Sequence, residues 1–180
     1  MSGMSEDWLF MMDRLFVHIL PSILWSIGLF IYASRDMNEW KKKLIPLFVY
    51  GVLMIINTAT HIFYGVPIYR FLSLFATFVW FLVLNYRNIG LSLFAFGGIF
   101  NATVSIANKG RMPVMGEFEI TEIHQPMTEG TIFPFLADWI PSPYGFYQIS
   151  LGDILLGIGG LIFLGQELWF LFNKLRRSKK

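Results

Sequence analysis

The sequence predicts an all-α membrane protein, about five transmembrane helices in a bundle, with an ordered outer loop between the fourth and fifth. Three observations lead there. Of 180 residues, 55% are hydrophobic and only 14% charged, too little polar surface for a soluble domain of this size. Five apolar runs each approach the roughly 20 residues needed to cross a hydrocarbon core. The basic residues gather at two places, as the connections of a multipass protein do.

The spans fall at about 15–33, 44–63, 68–85, 89–107 and 151–172 of a single integral membrane domain covering 1–180. The first can begin earlier, because Ser5 offers an N-cap with Glu6 and Asp7 in the first turn. Those acids and Asp13, without a basic n-region or small-residue cleavage site, predict that this end is retained rather than removed as a signal. Tyr64-Gly65-Val66-Pro67 joins the second and third spans and Tyr86-Arg87-Asn88 the third and fourth, short links that make antiparallel neighbours. Only the last connection, 108–150, is long.

Orientation follows from Lys and Arg, which cytoplasmic loops keep in excess. With the C-terminus inside, ten basic residues lie on the cytoplasmic side: Arg35, Lys41, Lys42, Lys43, Arg87, Lys174, Arg176, Arg177, Lys179 and Lys180. The other side receives three, Arg14, Lys109 and Arg111. The expectation is a multipass protein of the inner (cytoplasmic) membrane, N-terminus out and C-terminus in. Its medium is the lipid bilayer, and this charge asymmetry sets orientation rather than nucleic-acid binding. Having no cysteine, the chain has no disulfide, thiolate metal site or Cys nucleophile.

Polar residues recur at helical spacing within every span, marking surfaces turned toward other helices or a cavity. The second span offers Asn57 and His61, the fourth Gly90, Gly97, Asn101 and Ser105, and the fifth Gly152-Asp153, Gly159-Gly160 and Gln166-Glu167. Close helix packing explains the small residues. It explains Arg70, Asp153 and Glu167 less well, because an ionised side chain in hydrocarbon needs a partner or water. Arg70 and Asp153, both at outer helix ends, are expected to form a buried charge pair. The histidines His18, His61 and His124 all fall on the outer side without a paired ligand spacing, so no metal, cofactor or catalytic motif is expected.

The outer loop carries the densest chemistry. Asn108-Lys109-Gly110-Arg111-Met112-Pro113-Val114 begins with a turn around Gly110, and Glu117-Phe118-Glu119-Ile120 alternates as a short strand does. The stretch from Phe133 to Pro141 is too short to span and rich in aromatics, which predicts an interfacial or re-entrant half-helix closed by Pro141 and Pro143. Arg111 offers a planar donor for a carboxylate or phosphate, and Asp138 and Asp153 can bind that Arg, accept protons or hold a cation. Asn108 and His124 complete the expected ligand-binding set. An internal Arg-Asp lock that staples the loop accounts for the same residues.

These blocks resemble a family of uncharacterised bacterial multipass membrane proteins known only as a domain of unknown function. The resemblance runs over roughly 97–165 and rests on Asn108 to Val114, similar to Asn-Gly-Gly-Arg-Met-Pro-Val, on Leu136 to Pro143, and on Ser150-Leu151-Gly152-Asp153, similar to Ser-(Ile/Leu)-Gly-Asp. Lys109 departs from the family's usual Gly. The resemblance implies a multipass membrane protein and no particular activity. Four readings fit: a binder of a lipid headgroup or small ligand at the outer face, an accessory subunit of a larger membrane complex or homo-oligomer, an enzyme acting on a lipid-linked substrate, and a transporter. Five helices without a visible inverted repeat give transport little support.

Overall fold

The computed structural model describes residues 67–116, 123–143 and 145–178, with Trp8, Leu9, Met11, Met12, Tyr32 and Val52 as isolated positions. The described chain is mostly helical, with three helices: α1 (Pro67–Asn85), α2 (Ile89–Ala107) and α3 (Leu151–Ser178). They coincide with the third, fourth and fifth expected spans. The expected spans at 15–33 and 44–63 lie outside the described residues. By length and composition, two helices suit a membrane crossing, Ile89–Ala107 and Leu151–Arg177.

Local chemistry explains the helix boundaries. Pro67 opens α1 with a φ already suited to the first turn. Asn88 caps α2, its side-chain oxygen accepting the Leu91 N–H at 3.0 Å. The other end of α2 closes with a left-handed turn, in which Lys109 N–H donates to Ile106 O at 3.2 Å and Gly110 N–H to Ser105 O at 2.8 Å. Lys109 stands there at φ 62° and Gly110 at φ 84°. This Schellman-type closure keeps the tight turn although Lys replaces the Gly of the resembling block.

α2 is the centre of the described helices, packing against both α1 and α3. Glycines set the α2–α3 approach. A Cβ on Gly90 would sit 2.5 Å from Phe163 N, one on Gly97 2.7 Å from Leu156 N, and one on Gly159 2.7 Å from Gly90 O. Phe81, Leu91, Ala95 and Phe163 form the apolar core between these helices. Tyr32, from the first expected span, meets Phe163 edge-on with ring centroids 5.8 Å apart.

The last turns of α2 rise into a cap built by the long loop. Val104 packs with Met112, Leu136 and Ala137 in a second core, flanked by Phe100 and Met127. Here the all-α expectation is corrected. β1 (Met112–Val114) pairs in parallel with β2 (His124–Pro126), and β3 (Ile140–Pro141) pairs antiparallel with β4 (Gln148–Ile149). The half-helix expected over 133–141 is corrected too: a single 3-10 turn, Pro134–Leu136, starts from Phe133 in the left-handed region and ends at an extended Ala137. A left-handed residue before the turn and extended backbone after it leave room for no second helical turn. The strand expected at 117–120 lies outside the described residues.

Candidate functional site

Where α3 begins, its first turn is tied to α2. Ser150 and Asp153 cap each other: Asp153 N–H donates to Ser150 Oγ at 2.9 Å, and Ser150 N–H donates to Asp153 Oδ2 at 2.9 Å. This is a capping box with Asp in the place usual for Glu, and the negative side chain suits the positive end of the helix. Asn101 on α2 joins the box, its Nδ2 donating to Asp153 Oδ1 at 2.7 Å. The Ser150 hydroxyl lies 2.8 Å from Asn101 Oδ1 and 2.9 Å from Asp153 Oδ2, and its one proton serves one of them at a time. Only glycine fits at 152, because a Cβ there would run into Asn101 Oδ1.

Asp138 enters from the cap. Its N–H donates to Pro113 O at 3.0 Å and its C=O accepts Met115 N–H at 2.8 Å, so its backbone lies beside β1 like an added strand residue. Pro113 lacks an N–H, and the β1–β2 bonds use Met112 N–H and Val114 O instead, so the proline costs that pairing nothing. The arrangement carries the Asp138 side chain inside, where the residue is 7% exposed. Its Oδ1 has no hydrogen-bond partner. Burial, with the Asp153 charge as the lesser cause, pushes the Asp138 carboxyl from 3.8 up to about 8, so it is mainly protonated at neutral pH.

The other expected site residues separate into two groups. Asn108 is a staple: its Nδ2 donates to Val104 O at 2.7 Å and Ile132 O at 2.9 Å, and its Oδ1 accepts Ile132 N–H at 3.0 Å. Every polar atom of the amide is spent on holding the loop to α2. Arg111 is exposed and, among the described residues, makes no ion pair or side-chain hydrogen bond, so the Arg-Asp lock is not formed. His124 lies half-buried on β2, in register with Met112. Glu167 is buried farther along α3. The Arg70 side chain lies outside the described residues, and among the described residues Asp153 is hydrogen-bonded to Asn101 and Ser150. Among the described residues no group of three His, Cys, Asp or Glu stands together as a metal site would require.

Asn101 and Ser150 were visible in the sequence only as part of a polar stripe and a family-like block. The spacing Ser-x-x-Asp immediately before an apolar run was the signal for the box. Nothing in the sequence announced that an asparagine fifty residues away would complete it.

The described residues hold three helices, two of them long and apolar enough to cross a membrane, and a strand-bearing cap that buries a carboxyl group. The chain belongs to the family described as "Family of unknown function (DUF5317)", whose model matches residues 39–165. No curated protein and no solved structure matches it.

Proposed function

We propose that the chain is a multipass inner-membrane protein of about five spans, N-terminus out and C-terminus in, that binds a lipid headgroup or small ligand beneath its outer cap. The observation that carries this reading is Asp138, enclosed by the cap with one oxygen unbonded. A buried acceptor without a donor is costly, by roughly 1–3 kcal/mol, and a ligand that supplies the donor removes that cost. Gly90, Gly97, Gly152 and Gly159 are used inside the chain between α2 and α3, so they do not offer a docking face to a partner subunit.

The test is native mass spectrometry of the protein released from its membrane in mild detergent. A small non-covalent adduct on the wild type, absent from Asp138→Asn, is the expected result. A bare chain that leaves the membrane only with a protein partner would favour the subunit instead. The protonated state of Asp138 also supports an enzyme on a lipid-linked substrate, since a neutral carboxyl near pH 7 can serve as general acid. Turnover of such a substrate, lost in Asp138→Asn, would mark that reading.

A further inference from the structure

The chemistry left open beneath the cap is one-sided. Asp153 already receives N–H groups from Asn101 and Ser150, so the donors of this corner are committed. Its Oδ1, which accepts only from Asn101 among the described residues, retains a further lone pair. Asp138 adds a carboxyl more than nine-tenths buried, with Oδ1 unbonded, on the stretch of cap whose 3-10 turn packs against α3. Of the described residues, Lys109 and Arg111 do not answer them, for both are exposed and unpaired. What complements two acceptor-rich carboxyls is a cation that brings its own N–H donors. A divalent metal would need a third ligand, and among the described residues no such group exists.

We propose that the capped site seats a primary ammonium group, from a lipid headgroup or a free amine, between the carboxyl groups of Asp138 and Asp153. This rests on the reading of the cap as a ligand site and names the class of ligand. Binding converts Asp138 to its carboxylate, and the proton it held passes to solvent. The charged group acting on Asp138 is Asp153 of α3. From α2, the residues at this end are Asn101, Ser105 and Asn108, and from β1 Met112, Pro113 and Val114, none of them titratable. The titratable His124 stands on β2, along the opposite edge of β1 from Asp138. The pH response belongs to Asp138.

The full chain in detergent is titrated calorimetrically with ethanolamine and with short-chain phosphatidylethanolamine. Choline and phosphatidylcholine serve as counterparts of equal charge without N–H donors, and phosphatidylglycerol as the anionic comparison. The primary amines are expected to bind at least about tenfold more tightly than the trimethylated ones. Their affinity is expected to rise about tenfold per pH unit from 6 to 7 and to level off above about 8, with close to one proton released per amine bound at pH 7. Asp138→Asn should abolish both the preference and the pH slope. The wild-type comparison carries the test even if that variant folds poorly. Binding of the lipid amine alone, or of both amines, supports the proposal and tells the two sources apart. If phosphatidylglycerol or the trimethylated compounds bind as well as the primary amines, and Asp138→Asn removes that binding, the ammonium assignment is overturned while the ligand site stands. If none binds and no adduct accompanies the native protein, both fall.

Discussion

A carboxyl group that keeps its proton at neutral pH makes stability depend on pH with a definite sign. Asp138 binds a proton more tightly folded than unfolded, so between 3.8 and about 8 the folded state holds more protons. Stability therefore falls as pH rises through that window, by up to about 1.4 kcal/mol per unit, and levels off above it. Asp138→Asn removes the penalty, so its thermal midpoint in detergent should exceed the wild type's at pH 8 and the gap should close toward pH 4. A gap that widens on acidification would contradict the assignment. Lys109 supplies a second test, since it occupies a left-handed position at φ 62° where the resembling block has Gly. Lys109→Gly should raise stability, by at most about 1 kcal/mol, measured in the same melts. The sequence singled out Asp138 and Asp153 because both lie in the family-like blocks, Leu136 to Pro143 and Ser150 to Asp153. It could not show that Arg111 stays outside, for whether an Arg reaches an Asp depends on which face of a three-residue strand turns inward.

Helices α2 and α3 were legible to the residue at their starts, because Asn88 and Ser150 are capping residues placed directly before apolar runs. The cap was not. Its aromatic run Phe133 to Trp139 has the composition of an interfacial helix, yet the backbone turns at Phe133 and extends at Ala137 to place Asp138 beside β1. That pairing joins residues over twenty positions apart and leaves no local signature. The helix pair itself makes a sharp prediction. Gly97 on α2 faces the α3 backbone, whereas Gly157, on α3 itself, has open space where its Cβ would be. Gly97→Ala should lower stability by about 1–3 kcal/mol through forced separation, and Gly157→Ala should leave it unchanged or slightly raised. Equal effects in detergent melts would mean that α2 and α3 are not in contact along this stripe.

At the scale of the molecule, the cap sits at one end of the α2–α3 pair, while Arg87 and the basic end of α3 lie at the other. The proposed topology, which rests on charge asymmetry, puts the basic end in the cytoplasm and the cap, with the aspartates beneath it, outside. The absence of cysteine makes this directly measurable. Single cysteines at the exposed positions Glu129, Arg87 and Lys174 report the two ends of the bundle. In intact cells a membrane-impermeant maleimide should label Glu129→Cys, and it should label Arg87→Cys and Lys174→Cys only after permeabilisation. Labelling of Arg87→Cys or Lys174→Cys in intact cells, with Glu129→Cys protected until the membrane is opened, would put the cap inside and contradict an outward-facing ligand site.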